Sequence, residues 1–264
     1  MPRKCGPGRP PKLDPAKTAF LAVVREYRRM DYRELAVSSY VRFLALRVHY
    51  TTIQKAIAKL PEWFLNEAAR AFAELVSADE IESVADATEF SIPVYKEKWV
   101  GRHYTRVKRT VKLSALWDAD KRVFHAFRCL DGDAHGSRTL LPMMREVRVR
   151  IRKCFADTEF CSRENVQELS DAGIEPVIKP HTRATTRSRG APAWKRLIRR
   201  FKRLGYERWR DETGYGKRYE NEGTFGALIT RFGDAVRARN QQVAGRLIGA
   251  RVVFHNFFAS LVHG

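Results

Sequence analysis

Acidic residues are in short supply. Thirty Asp and Glu face fifty Lys and Arg across 264 residues, leaving a formal charge of +20. Such a surplus repels itself unless a polyanion offsets it, so nucleic acid is the expected partner. Ribosomal, RNA-binding and membrane-surface proteins share this imbalance, so the charge names a partner class and not a reaction. Cysteine is also scarce. Cys5, Cys129, Cys154 and Cys161 are too few for a dense disulfide scaffold and form no paired CxxC zinc site, so free thiols in a reducing compartment are expected. Long apolar runs are missing too. The N-terminus has no signal-peptide core, and the most apolar late stretch, Val252 to Val262, is interrupted by His255 and Asn256 and is too short to span a bilayer. These shortages predict a soluble cytoplasmic protein with no membrane partner.

What is present is enough to fold. Apolar residues make up 44% and aromatics 11%, and the length suits one sizeable core plus a smaller unit. The opening residues 1–17 are rich in Pro, Gly and cations and read as a basic flexible arm. Its Gly8-Arg9-Pro10 core is similar to a minor-groove AT-hook, although Pro7 stands where an Arg is usual.

Residues 18–78 carry helical periodicity, with Phe20, Val23, Val24 and Tyr27 recurring at helix spacing. Thr51-Thr52-Ile53-Gln54 reads as a capping box opening a helix from Thr52 to Leu60, which Pro61 ends. Two helices around a short turn, the second opening with Thr51, Thr52, Gln54 and Lys55, suit a helix-turn-helix that enters a major groove. A plain helical bundle would show the same pattern.

Residues 79–264 change texture. Val84 to Pro93, Val111 to Trp117 and Val123 to Leu130 read as an antiparallel meander with its second turn at Asp118 to Lys121. A helical period from Gly136 to Lys153 follows, then a short strand, Cys154 to Asp157, a helix from Ser162, a fifth strand, Ile174 to Lys179, and two closing helices. Three antiparallel strands followed by right-handed crossovers predict an α/β fold, a ribonuclease-H-like mixed five-stranded sheet with flanking helices, preceded by a small all-α domain.

In that fold the first and fourth strands are neighbours, so Asp86 and Asp157 at their ends meet at one edge of the sheet. Glu222, near the start of a helix expected from about Arg218 to Arg239, supplies a third acid. Three converging carboxylates repel unless cations lie between them, and Mg²⁺ is the expected occupant. Two such ions, with Mn²⁺ able to substitute, would drive in-line displacement at a phosphodiester. Arg218 and Glu222 share a helix face one turn apart, and Tyr215 precedes them.

On these residues the chain resembles the DDE transposases of bacterial and archaeal insertion sequences over nearly its whole length. Asp86-Ala87-Thr88 looks like the first-acid motif and Ala156-Asp157-Thr158-Glu159-Phe160 like the second. Tyr215, Arg218 and Glu222 match the tyrosine-arginine-glutamate part of the family signature. Phe225, Leu228, Arg231, Phe232 and Gly233 continue the same texture, and His49-Tyr50-Thr51-Thr52 is similar to the stretch opening the recognition helix.

The resemblance implies metal-dependent cleavage at element ends and strand transfer into target double-stranded DNA. It also implies a dimeric synaptic complex and a nucleoid-associated location. One position departs. Where the signature has an end-binding lysine this chain has Ile229, and Arg231 is rotated roughly 200° from it about a helix. That departure keeps open a non-catalytic, domesticated DNA-binding protein, alongside another ribonuclease-H-like nuclease.

Further cations interleave with apolar residues. From Lys179 to Arg218 there are fourteen Lys and Arg against three acids. Lys195, Arg196, Arg199, Arg200, Lys202 and Arg203 surround a stripe of Trp194, Leu197, Ile198, Phe201 and Leu204, which predicts one packed face and phosphate contacts elsewhere. Lys96 to Lys112 holds seven cations among Trp99, His103 and Tyr104. A solvated charged surface is the alternative for both blocks.

Overall fold

The computed structural model describes residues 13–100 and 103–263, with only backbone described for 94–100 and 103–107. Residues 1–12, with Cys5 and the Gly8-Arg9-Pro10 core, lie outside the described residues, as do the side chains of most of the Lys96 to Lys112 block.

Among the described residues five helices come first: α1 (Pro15–Arg28), α2 (Tyr32–Val37), α3 (Ser39–Phe43), α4 (Tyr50–Lys59) and α5 (Glu62–Glu74). Their starts are written in the sequence. Asp14 caps α1 by accepting from the Lys17 amide ahead of Pro15, and Asp31 forms a reciprocal capping box with Glu34 on α2. The box expected at Thr51-Gln54 does not form. Helix α4 begins earlier, at Tyr50, because the His49 ring accepts from the Thr51 amide and lies 2.9 Å from the Thr51 hydroxyl. Thr51 is therefore spent inside the first turn.

The sheet contains β1 (Glu80–Val100), β2 (His103–Asp118), β3 (Phe124–Asp131), β4 (Arg150–Ala156) and β5 (Glu175–Ile178), in the spatial order β3-β2-β1-β4-β5. The three leading strands pair antiparallel, and β4 and β5 add in parallel. This is the mixed five-stranded sheet expected from the sequence. Its remaining helices are α6 (Leu140–Met144), α7 (Arg163–Asp171), α8 (Pro192–Thr213), α9 (Gly216–Glu220), α10 (Gly223–Phe232) and α11 (Gln241–His263).

Two expected helices change. The run from Gly136 to Lys153 is helical only through Met144, because Val147, Val149 and Ile151 alternate with cations and lead into β4. The helix expected from Arg218 to Arg239 is two helices, α9 and α10, and stops at Gly233. Helix α8 is also broken, at Gly205, whose φ of 72° and ψ of 173° fit no helix.

Side chains alternate across the sheet. Val84, Phe90, Leu113, Trp117 and Phe155 face a cluster that includes α5, α10 and α11, whereas Ala85, Leu116, Cys154 and Ala156 face α6, α7 and the first half of α8. Leu21, Leu35, Ile53 and Leu65 of the leading helices belong to the first of these clusters. Helices and sheet thus share one core.

Contact between them is close. A Cβ on Gly249 of α11 would sit 2.9 Å from Leu65 and 3.0 Å from Phe127, so only glycine allows the observed approach. Two buried asparagines complete the junction. Asn66 on α5 bonds both the N–H and the carbonyl of Phe127, and Asn256 on α11 bonds both of those groups on Phe124 and donates to the Ala69 carbonyl.

Candidate active site

The ladder between β1 and β4 ends at the pair Ala85–Ala156, and Asp86 and Asp157 are the next residues on each strand. Contrary to expectation, Asp86 is not at the end of its own strand, because β1 runs on to Val100 against β2. What ends there is its pairing with β4, which frees that side for a carboxylate. Each acid anchors one oxygen on its own backbone: Asp86 Oδ1 accepts from Ala87 N at 2.8 Å and Asp157 Oδ1 from Thr158 N at 2.6 Å. The other oxygen of each is turned toward Arg218.

Arg218 Nη2 is 3.0 Å from Asp86 Oδ2 and 3.8 Å from Asp157 Oδ2, while Nη1 is 3.8 Å from Glu222 Oε1. One guanidinium therefore faces all three expected acids. It is buried, whereas the Glu222 side chain is 61% exposed. Burial pushes the Asp86 carboxyl above its ordinary range against the pull of Arg218. Burial also works against the charge on Arg218, but Asp86, Tyr215 and Asp157 outweigh it and raise the guanidinium pKa.

Tyr215 lies beneath this group rather than over it. Its ring is fully buried against Trp209, and its hydroxyl donates to the Ala156 carbonyl at 3.4 Å, one residue before Asp157. Burial raises its phenol well above the ordinary value, so it remains a neutral donor.

The join between α9 and α10 sets the position of Glu222. Asn221 is buried, accepts from the Trp117 indole at 2.9 Å and donates to the Lys217 carbonyl at 3.0 Å. Amides of Arg218, Glu222 and Thr224 bond three residues back, which tightens the turn without moving Glu222 off the Arg218 side. Lys217 then clamps α9 to the sheet through Glu82 at 2.8 Å and Asp120 at 2.7 Å. Sequence reasoning missed Asn221, Trp117 and Lys217; an Asn in an expected helix interior was the available signal.

Three neighbours of Asp157 are not available as ligands. Glu159 accepts from Lys112 and from the Gly136 amide, each at 2.8 Å. Burial pushes the thiols of Cys154 and Cys161 up to about 12, so neither is a ready ligand.

In donor chemistry the three acids fit a hard divalent ion, being carboxylates gathered around one cation. Among the described residues, though, no three acid, His or Cys side chains are close enough together to hold an ion as placed. The Arg218 guanidinium occupies the space between them.

The expected DNA-contacting residues are spread over several surfaces. On α4, Thr51, Thr52 and Gln54 are half-buried and Lys55 is exposed. On α8, Arg196, Arg199 and Arg203 are exposed, Lys195 is half-buried, and Arg200 lies 3.7 Å from both Glu175 and Glu212. Trp194 and Ile198 pack inward as the stripe predicts. Arg231 is directed onto α11, its guanidinium 4.2 Å from the Phe258 ring centre. Ile229 packs partly buried against the main core.

Comparison with known proteins places the chain in a class. The sequence pattern of the family described as “Transposase DDE domain” matches residues 78–257, and the chain belongs to that family. Among solved structures it is similar to a piggyBac transposase synaptic complex with hairpin DNA, at 11% identity and a TM-score of 0.45, covering 99% of this chain and 69% of the other. It is also similar to a Mos1 mariner paired-end complex with Mn, at 14% identity and a TM-score of 0.27, covering 100% and 82%. Both scores are low, so membership rests on the sequence match. No curated protein matches the chain. Among the described residues no helix is long and apolar enough to cross a membrane.

Proposed function

We propose that this chain is a DDE transposase that binds the ends of its mobile element, hydrolyses the strands there and joins the freed 3′-hydroxyls to target DNA. The observation that carries the assignment of its site is the convergence of Asp86, Asp157 and Glu222, from β1, the end of β4 and the α9–α10 join, on the single guanidinium of Arg218.

Asp86, Asp157 and Glu222 would hold divalent ions, Mg²⁺ with Mn²⁺ as a substitute. When bound, these supply polarisation of the phosphodiester and a lowered pKa for the attacking hydroxyl. The remaining work falls to the chain. Asp86 and Asp157 each turn one oxygen toward Arg218 because a backbone amide holds the other. Tyr215 fixes the peptide before Asp157. Arg218 offers a forked, permanently charged donor that can turn from carboxylate to phosphate as DNA arrives. Exposed Arg196, Arg199 and Arg203 offer backbone contacts along α8.

In this reading residues 79–264 are catalytic, residues 18–78 add DNA contacts through α4, and residues 1–17 are a basic arm. Two ends must be cut together, so a dimer forms on DNA, in the nucleoid of the cytoplasm. The test is cleavage and strand transfer on end-containing DNA with Mg²⁺. Unchanged activities in Asp157→Asn would sink the site assignment.

One observation favours a second reading, a DNA-binding protein that no longer transposes. Ile229 fills core space on α10 where the family signature has a cation. Sequence-specific binding with no cleavage of any end substrate would establish that reading instead.

A further inference from the structure

A cavity of about 760 Å³ opens between α4 and residues 237–240, the segment joining α10 to α11. Arg33, Lys55, Arg237 and Arg239 line it and are exposed. Of these only Lys55 has a role in the reading above. Among the described residues Asp31 is the one acid lining the cavity, and its carboxylate is already engaged by the Arg33 and Glu34 amides.

Beneath these side chains lies a buried charge surplus. Arg25, Arg251 and Glu26 are 5%, 3% and 6% exposed, so two guanidiniums share one carboxylate. Arg25 lines the cavity and stacks on Tyr32, 4.5 Å from its ring centre. Arg25 Nε and the Tyr32 hydroxyl are both buried atoms without a partner. A buried positive surplus of this kind favours an anion in the cleft above it.

The wall is built and held. Arg251 donates to the Gly233 and Ala235 carbonyls at 2.9 and 2.8 Å, and Arg25 to the Arg237 carbonyl at 2.9 Å. Ser91 on β1 exchanges bonds with Asp234 and Val236 at 2.9 and 2.8 Å. Opposite, Arg33 stacks over Tyr50, 5.2 Å from its centre. The cations are thus carried on fixed backbone from two parts of the chain.

We propose that this cleft grips the sugar–phosphate backbone of duplex DNA, with Arg33 and Lys55 on one side and Arg237 and Arg239 on the other. Its choice of DNA among polyanions rests on the transposase reading. Because α4 and the α10–α11 segment would hold one stretch of strand, the cleft fixes how DNA on the leading helices runs toward the acids.

The test is binding of the full chain to a fluorescent element-end duplex in EDTA across a salt series, so that no strand chemistry intervenes. Arg237→Glu with Arg239→Glu is compared with Arg145→Glu with Arg150→Glu, an equal charge change outside the cleft. The cleft variant should lose at least about tenfold in affinity, and its slope of log K against log salt should fall by about 2. Equal affinities and slopes for the two double variants would overturn the cleft while leaving the transposase reading intact. A wild-type chain that binds no DNA would overturn both.

Discussion

Arg218 Nη2 and Asp86 Oδ2 lie 3.0 Å apart although 132 residues separate them in the chain. That contact joins α9 to the middle of β1 and gives a partly buried carboxylate its counter-ion. Removing it leaves Asp86 beside Asp157 with no cation between. Arg218→Ala should therefore lower metal-free stability by about 1–3 kcal/mol in urea unfolding. Mg²⁺ should return more stability to the variant than to the wild type, because the two cations compete for the same carboxylates. An equal Mg²⁺ response in both would mean that they do not.

Asp86→Asn and Asp157→Asn keep shape and remove charge. Each should reduce cleavage at least about 100-fold, with affinity for end DNA in EDTA retained or increased, since a negative charge near the phosphates is gone. Gel assays of nicking and strand transfer, paired with anisotropy, separate the two effects.

His125 gives a pH dependence unrelated to the acids. It is fully buried beside Ser77 and Asp118, and burial lowers its pKa to about 4 from 6.5. The neutral ring is the folded form, so its contribution is whole above pH 6.5 and is lost as pH falls toward 4. The loss amounts to roughly 3 kcal/mol. His125→Gln should flatten the part of the stability–pH curve between those values. An unchanged difference between wild type and variant across that window would refute the assignment.

Gly249 limits how near α11 comes to the sheet. Gly249→Val should cost about 1–3 kcal/mol by overpacking against Leu65 and Phe127, visible as a lowered thermal midpoint. The same substitution at Gly226 on α10, where an added Cβ meets nothing within 4 Å, should cost less.

Alternation within 84–93, 111–117 and 123–130 located the first three strands but not the extension of β1 to Val100 or the start of β2 at His103, and strand order then brought Asp86 and Asp157 together. Glu222 was legible through its spacing from Arg218, which survives the break in the helix because the join turns with nearly helical geometry. The break itself was not legible, since it depends on Asn221 meeting Trp117, 104 residues away. Nor was the burial of Tyr215, whose surroundings are assembled from α8, α9 and β4. The cleft beside α4 is a still less local feature. It needs the adjacent Arg25 and Glu26 packed against Arg251, 225 residues from Glu26, and no window of sequence contains all three.

Asn66 and Asn256 have a consequence beyond joining helices to sheet. Strand β3 is outermost in the order β3-β2-β1-β4-β5, and an outermost strand presents free peptide groups to any passing extended chain. Here the peptide groups of Phe124 and Phe127 are taken by carboxamides from α5 and α11. At those two positions the outer edge of the strand is closed by side chains in place of another strand. A second copy would therefore find no free peptide group at Phe124 or Phe127 with which to extend the sheet.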